Sequence, residues 1–354
     1  MSEEQKPGLT NLRPKISIIV LNYNNKEWSK KCLNSLLNTR HLNYEIIFVD
    51  NGSTDGSLDF IRKEFSQTSL IKFVSLPKNL QYAGGNNEGL KYAVGDYIVF
   101  LNNDTIVKPD WLSELEKCME KDETIGICQS KLLLYDYPTK IDSTGDFLNL
   151  LGFSVMQGRF EENYGQYDKN TDIFSARGAC LMIRKSLIKK IGAFDPLYQS
   201  IFEDLDLCWR ARLAGYKIKL VPSSIVYHKG RATTKGNVGR EAFLSSRNLV
   251  ITFIKNLELI NLFKFVLLFM ITRVIGYTLL IFLRHKHRKV WLIYFIEFIK
   301  AQLWILRNFR IIWSKRVIIQ RYIRKVSDRE ILPYFKSTRM NLAYFFKWII
   351  EHEN

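Results

Sequence analysis

Residues 44–57, YEIIFVDNGSTDGS, decide the fold class of this 354-residue chain. The first half is a short run of β-branched and aromatic residues, which is typical of a buried strand, and the second half is a polar loop. Three other apolar runs end in polar residues in the same way: KISIIVLNYN (15–24), IKFVSLPKN (71–79) and DYIVFLNNDT (96–105). The sequence therefore predicts four buried strands in the first 120 residues.

Helical patterns separate these four strands, at residues 26–39, 57–65 and 86–94. Strands that alternate with helices predict an α/β fold, in which helices cover both faces of a mostly parallel central sheet. Ligands bind such sheets beyond the carboxyl ends of the strands. We therefore expect three polar loops to converge on one crevice, at residues 22–25, 50–55 and 102–104.

The later segments predict three regions: an N-terminal tail (1–14), an α/β domain (15–235) and a helical C-terminal region (236–354). Residues 130–175 predict loops with some β-structure, 176–196 a strand, a helix and a turn, and 204–228 a helix followed by a strand that ends near His228. The five cysteines are scattered, which argues against a disulfide framework and indicates a reducing compartment. The N-terminus has no apolar run, so no signal peptide is expected.

Charge is unevenly distributed along the chain, whose net charge is +17. Residues 236–354 contain 21 Lys and Arg against 7 Asp and Glu, while the remainder is nearly neutral. A basic tail indicates nucleic acid, an anionic membrane surface or an acidic partner. Here the basic residues alternate with Ile, Leu, Phe and Trp, which favours the anionic membrane and argues against nucleic acid.

The tail contains two further segments with a membrane character. Residues 265–283 are apolar except for Arg273 and approach the length of a span, ~20 residues. Residues 290–315 predict a basic amphipathic helix that would lie in the membrane interface. The alternative is a soluble helical region that packs on the α/β domain or forms a dimer.

Two strand ends present candidate ligand-binding carboxylates. Asp50 can accept the imide N–H of a uracil or thymine ring; the alternative is a loop that only caps the helix from Ser57. Asn102 and Asp104 present oxygens suited to a hard divalent cation on a diphosphate; the alternative is a plain turn. His228 is a possible further metal ligand or a structural histidine.

Two other stretches are unusual in composition. Residues 79–89, NLQYAGGNNEG, are rich in glycine and lead into a helix; they are a weak phosphate-binding motif, and a close-packed turn is the favoured interpretation. Residues 201–210, IFEDLDLCWR, alternate acidic with apolar residues. Because unpaired buried carboxylates are costly, this stretch indicates either a functional carboxylate or an acidic first turn of a helix. Asp206 and Arg210 predict an i,i+4 pair.

The ordered set SIIVLNYN, VDNGSTDGS, AGGNNEG, FLNNDT, GACLMIR, GAFD and FEDLDLCWRARLAGYKI resembles the family 2 glycosyltransferases with the GT-A fold, and in particular their rhamnosyltransferase-like branch. The resemblance covers about residues 15–256. It implies a nucleotide-sugar-binding fold and a Mg²⁺ or Mn²⁺ cofactor. It further implies an inverting transfer of sugar from a nucleoside-diphosphate sugar, such as dTDP-rhamnose or a UDP-sugar.

The resemblance also implies residue roles. Asp204 is the expected catalytic base, and Glu203 its neighbour, which orients the acceptor or stabilises the loop. The expected metal ligands are Asp104, Asn102 and His228; the motif is Asn-Asn-Asp rather than Asp-x-Asp, so Asp104 is its anionic member. The expected donor-binding residues are Asn22, Asp50, Asn51, Ser53, Gly85, Asn86 and Asn103.

The expected acceptor is a hydroxyl of a glycan or lipid-linked molecule in surface-polysaccharide or glycoconjugate synthesis, at the cytoplasmic face of a membrane. Two rival functions are a nucleotidyltransferase that makes nucleoside-diphosphate sugars and a non-enzymatic nucleic-acid-binding protein. The first rival needs a Gly- and Arg-rich triphosphate loop, which NYNNKEW after the first strand does not provide. The second conflicts with the apolar character of the basic tail.

Overall fold

The structure is a computed structural model that describes residues 15–149, 151–169, 171–230, 237–283 and 287–335. The predicted N-terminal tail, residues 1–14, lies outside this range. The strands are β1 (Ile16–Asn22), β2 (Tyr44–Asp50), β3 (Ile71–Ser75), β4 (Tyr97–Asn102), β5 (Thr105–Val107), β6 (Ile125–Leu134), β7 (Ile141–Ser143), β8 (Asp146–Leu148), β9 (Ser154–Met156), β10 (Cys180–Arg184) and β11 (Lys217–His228).

A nine-stranded sheet organises the described residues, in the order β3-β2-β1-β4-β10-β6-β11-β5 with β7 paired to β6. The four strands predicted from the first 120 residues form its parallel half. Strands β10 and β5 run antiparallel to their neighbours, so the sheet is mixed. Strands β8 and β9 form a separate two-stranded hairpin. The α/β prediction is confirmed.

Helices cover both faces of this sheet. They are α1 (Lys26–Leu37), α2 (Ser57–Glu64), α3 (Gln81–Leu90), α4 (Trp111–Lys121), α5 (Lys185–Ile191), α6 (Glu203–Leu213), α7 (Val238–Asn256), α8 (Leu259–Leu283), α9 (Arg288–Arg307), α10 (Phe309–Ile318) and α11 (Asp328–Ile331). Helices α1, α2 and α4 bury apolar side chains in the core on one face. Helices α3, α5, α6 and α7 do so on the other face, where parts of α8, α9 and α10 join them.

Helix α3 replaces the turn that the glycine-rich stretch predicted, so that interpretation is wrong. A Cβ atom on Gly85 would lie 2.5 Å from Leu21, and one on Gly89 would lie 2.7 Å from Ile19. Glycine is unfavourable inside an isolated helix, but here it allows close packing of the helix on β1. The glycines therefore serve helix–sheet contact.

The C-terminal helices pack on the catalytic body and also expose a broad apolar surface. Helix α7 lies against α6 and α9, and Phe265 and Phe269 of α8 are buried in the same core. The predicted single basic helix is wrong, because α9 ends at Arg307 and α10 begins at Phe309. Large apolar side chains remain exposed along these helices, among them Phe263, Leu267, Ile275, Ile296, Leu303 and Leu306.

Candidate active site

The carboxyl ends of β1 and β2 form one wall of a polar crevice. Asn22 and Asp50 are paired across the two strands, and the Asn22 amide donates a hydrogen bond of 2.9 Å to Asp50 and one of 3.1 Å to Ser53. Asp50 accepts the backbone N–H of Ser53 at 3.1 Å, and the Ser53 hydroxyl accepts the N–H of Asn24 at 2.9 Å. Three of the predicted donor-binding residues are thus brought together in one network.

The other predicted donor-binding residues lie in supporting positions. The Asn51 side chain accepts the N–H of Leu80 at 2.8 Å and so ties its loop to the start of α3. Asn86 is buried and donates to the carbonyl oxygen of Tyr82 at 3.0 Å, while Gly85 packs on β1. Asn51 and Gly85 therefore join α3 to the sheet beside the crevice, while the Asn86 bond lies within α3.

Asn103 links β4 to this network. Its amide donates to Asn22 Oδ1 and to Ser29 Oγ, both at 3.0 Å. These bonds fix the tight turn between β4 and β5, in which Asn103 stands between Asn102 and Asp104. Asn102 is half-buried, while Asp104 is buried.

His228 joins Asp104 to a second carboxylate that the sequence did not indicate. The imidazole Nε2 lies 3.4 Å from Asp104 Oδ1, and Nδ1 lies 2.8 Å from Asp142 Oδ2. Burial lowers the pKa of His228, but Asp104 and Asp142 outweigh this effect and raise it to about 9. Burial raises the pKa of Asp142, but His228, Arg177 and Arg159 lower it to about 2.

This arrangement fits a divalent cation bound by few protein atoms. Metal-binding histidines commonly have a carboxylate at the ring nitrogen that does not bind the metal. Asp142 occupies that position at Nδ1 of His228, while Nε2 faces Asp104. The described residues contain no group of three or more His, Cys, Asp or Glu that could hold a metal ion. Asp104 and His228 suit an ion that takes its other ligands from water and a substrate diphosphate.

Glu203 and Asp204 stand at the first turn of α6. Asp204 Oδ2 accepts the backbone N–H of Gly178 at 2.8 Å. Burial raises the pKa of Asp204, and the Gly178 N–H and the Arg177 charge lower it only in part. Burial also raises the pKa of Glu203, whose Oε2 is buried without a hydrogen-bond partner in the described part of the chain. A buried carboxyl group with a raised pKa is a candidate for proton exchange in a catalytic site.

Gly178 is enclosed on both sides at this point. The Tyr82 hydroxyl donates to its carbonyl oxygen at 2.7 Å. A Cβ atom on Gly178 would lie 2.8 Å from that hydroxyl and 3.3 Å from Asp204 Oδ2. The absence of a side chain therefore allows the backbone N–H to approach the Asp204 carboxylate.

The loop before α6 is strained. Gln199, Ile201 and Phe202 have φ angles of 64°, 70° and 70°, which are rarely adopted by bulky residues. The Asn248 side chain of α7 donates to three carbonyl oxygens of this loop, at 2.7 to 3.0 Å. The Arg247 guanidinium donates to the carbonyl oxygen of Leu197 and also to that of Tyr198, which Asn248 contacts as well. Helix α7 therefore fixes the loop that positions Asp204, since strain of this kind persists only where surrounding contacts enforce it.

Arg177 lies among the acidic groups of the crevice. Burial lowers its pKa, but Asp146, Asp142, Asp204 and Asp104 together raise it. Its Nη1 lies 3.9 Å from Asp146, a carboxyl whose pKa burial raises to about 6. The sequence reasoning missed Arg177, Asp142 and Asp146. The available signal for Arg177 was its place immediately before the GACLMIR stretch.

Asp206, one turn into α6, has a different environment. It is fully buried, with the Arg210 Nε at 2.9 Å, the Lys255 Nζ at 2.9 Å and the Asn256 amide at 3.0 Å. Lys255 also pairs with Asp195 at 2.8 Å. Burial raises the pKa of Asp206, but Lys255 and Arg210 outweigh it and hold the pKa well below its usual range. The predicted Asp206–Arg210 pair is confirmed and belongs to a network that joins α6 to α7.

Part of the chain matches a known protein family. A family model described as "Glycosyl transferase family 2" matches residues 17–192. The chain is 26% identical over 237 residues to the O-antigen biosynthesis protein RfbC of Myxococcus xanthus, covering 65% of this chain and 18% of that protein. It is 25% identical over 214 residues to the poly-beta-1,6-N-acetyl-D-glucosamine synthase of Staphylococcus epidermidis, covering 60% of this chain and 49% of that protein. The chain thus spans less than half of these relatives' length.

Solved structures show the same fold at low sequence identity. Mannosyltransferase PcManGT from Pyrobaculum calidifontis, in complex with GDP-Man and Mn²⁺, superposes with a TM-score of 0.52 at 15% identity, covering 82% of this chain and 88% of that one. TarS of Staphylococcus aureus superposes with a TM-score of 0.53 at 18% identity, covering 87% and 91%.

The fold is of the GT-A type that the sequence resemblance implied. The chain belongs to glycosyl transferase family 2.

Proposed function

We propose that the protein is an inverting glycosyltransferase in which Asp204 is the general base. Inversion requires one displacement at the anomeric carbon, so it needs a base for the acceptor hydroxyl proton and a positive site for the leaving diphosphate. The observation that carries this proposal is the environment of Asp204. Its carboxyl group is half-buried, has a raised pKa, accepts the Gly178 N–H, and interacts electrostatically with Arg177, whose charge also acts on Asp104.

Donor binding is proposed for the opposite side of the crevice. Asp50, supported by Asn22 and Ser53, is placed to accept the N–H of a pyrimidine base. Asp104 and His228, with Asn102, would hold Mg²⁺ or Mn²⁺, which supplies positive charge to the departing diphosphate. Arg177 adds a fixed positive charge from the protein on the Asp204 side.

The proposed donor is a nucleoside-diphosphate sugar, such as dTDP-rhamnose or a UDP-sugar, and the proposed acceptor is a hydroxyl of a glycan or lipid-linked molecule. RfbC is named for O-antigen biosynthesis, and the other relative for synthesis of poly-beta-1,6-N-acetyl-D-glucosamine. These names support a role in surface-polysaccharide synthesis.

The proposed location is the cytoplasmic face of a membrane. Within the described residues one helix, Leu259–Phe282, is long and apolar enough to cross a membrane, and 11% of its most apolar window is buried. The buried side chains Phe265 and Phe269 contact the core of the catalytic body, while Phe263, Leu267 and Ile275 are exposed. One face of the helix therefore packs on the protein, and the other presents an apolar surface suited to lipid.

Donor binding with and without metal tests this proposal. Calorimetry with a panel of nucleoside-diphosphate sugars should find one donor whose affinity falls at least about tenfold in EDTA, because the diphosphate loses its cation. Asp104→Ala should bind that donor as weakly as wild type in EDTA. Asp110→Ala, at an exposed position outside the crevice, is the matched control. Equal donor affinity with and without EDTA would contradict a role for the metal in donor binding. Failure to bind any nucleoside-diphosphate sugar would contradict the proposed function.

A further inference from the structure

A cavity of about 100 Å³ lies where α7, α8 and α9 meet the turn between β8 and β9. Polar and aromatic side chains line it together, among them Phe153, Phe202, Ser245, Arg273, Tyr277 and Tyr294. Polar donors that converge in a mainly apolar cavity are typical of a binding site. None of the roles proposed above uses this cavity.

Arg273 is the charged group of the cavity. Its guanidinium lies 3.9 Å from the centre of the Phe153 ring and 4.9 Å from that of Phe269. The ion pairs of the described residues include no carboxylate on Arg273, whereas the buried Arg210 and Arg212 each pair with an aspartate. Two aromatic faces offset part of the cost of this half-buried cation, and its hydrogen-bond donors face the cavity without an anion.

The cavity adjoins the catalytic base through two short segments. Phe202 lines it and stands two positions before Asp204. The β8–β9 hairpin carries Asp146, beside Arg177, at one end and Gly152 and Phe153 at the other. Gly152 packs closely on Phe269, so the hairpin end is held against α8. A ligand group in the cavity would therefore lie near the acceptor side of the crevice.

The cavity also adjoins the exposed apolar surface of the C-terminal helices. On α8, Arg273 lies between the exposed residues Ile271 and Val274, with Ile275 following. The arginine therefore stands at the boundary between the protein interior and a surface suited to lipid. A long-chain lipid on that surface would bring its polar end to Arg273.

We propose that this cavity binds the phosphate of the lipid-linked acceptor, which rests on the function proposed above. The arginine fork matches the geometry of phosphate oxygens, and the hydroxyl of Ser245, which also lines the cavity, can donate a further hydrogen bond. A lipid phosphate fixed at Arg273 holds the glycan end of the same molecule at Asp204. A soluble phosphate fits the same donors but has no use for the apolar surface beside them, so the lipid is the source that the surroundings favour.

Flotation with vesicles tests this proposal. Phosphatidylcholine vesicles carry hexadecyl phosphate, hexadecanol or phosphatidylglycerol at equal molar fraction. The full chain should bind the hexadecyl phosphate vesicles at least about tenfold more tightly than the hexadecanol vesicles, which is the contribution of one charge-assisted hydrogen bond. Arg273→Gln and the cavity-filling Ser245→Phe should each abolish that preference, and Arg273→Lys should retain part of it. Arg310→Gln, an exposed arginine of the same tail, should retain all of it.

Three outcomes would overturn the proposal. Equal binding to phosphatidylglycerol vesicles, with no effect of Arg273→Gln, would show a general charge effect. Displacement by inorganic phosphate as effective as by lipid phosphate would show a site for soluble phosphate. An Arg273→Gln variant that unfolds as wild type does and keeps its preference, together with the same result for Ser245→Phe, would exclude the cavity. Donor affinity, measured separately by calorimetry, should be unchanged in all variants. If the wild-type protein bound no donor, that result would contradict the proposed function rather than this inference.

Discussion

Asp204 and Asp206 lie two residues apart at the start of α6, yet the structure gives them opposite environments. Asp204 has backbone N–H partners, and burial raises its pKa. Asp206 contacts two cationic side chains, which hold its pKa low. One carboxyl group is therefore ready to exchange a proton, and the other is a permanent anion that fastens α6 to α7. The comparison shows that position on a helix, and not residue type, decides whether the pKa of an aspartate here is raised or lowered.

The largest expected effect is on stability, at the Asp206 side. Lys255→Met should lower the free energy of unfolding by about 3–5 kcal/mol, because it leaves two buried carboxylates without their shared cation. Urea unfolding followed by circular dichroism measures this change. Lys300→Met removes only an exposed pair with Glu297 and should cost under about 1 kcal/mol. Equal costs for the two variants would contradict the assigned role of the network.

The next largest effect is on kcat, and it comes from the loop before α6 that positions Asp204. Asn248→Ala removes three hydrogen bonds to the strained carbonyls, so Asp204 should shift and kcat should fall about tenfold to a hundredfold. Donor affinity should not change, because the crevice wall at β1 and β2 is untouched. The control is Asn34→Ala on an exposed position of α1. Steady-state kinetics in which Asn248→Ala raises only the donor KM would show that the loop does not position the base.

The smallest effect is on pH dependence. The base acts in its deprotonated form, so kcat/KM should be highest above the raised pKa of Asp204 and fall as pH decreases through it. Arg177 lowers this pKa. Arg177→Gln should therefore move the acid limb of the profile upward by about one pH unit. The control is the exposed Arg40→Gln. A downward shift would show that Asp204 is not the titrating group.

Much of the fold was predictable, because buried parallel strands have a local signature. The four apolar runs of the first 120 residues are strands β1 to β4, and their polar ends meet as expected. The direction of β10 and β5 was not predictable, since strand pairing over long distances leaves no local pattern. The glycines of α3 were misread because low helix propensity is a local property, while their close approach to β1 is a tertiary one.

The candidate site was predictable only where a single stretch carried it. Asp50, Asp104, Asp204 and His228 each lie at the end of a strand or the start of a helix. Arg177 and Asp142 reach the same crevice from distant segments, so spacing could not associate them. Lys255 was equally hidden, because the partner of Asp206 comes from α7. The predicted basic helix is divided at Asn308. No proline or glycine lies at this break, so no local signal in the sequence indicates it.

The central claim is that Asp204 removes the acceptor proton, and one measurement tests it most directly. The turnover of Asp204→Asn on a true acceptor is compared with its donor affinity and its urea midpoint. The account predicts a kcat lower by about a hundredfold to ten-thousandfold, the usual contribution of a general base, with donor affinity and stability close to wild type. A variant that keeps more than about a tenth of wild-type turnover would contradict the account.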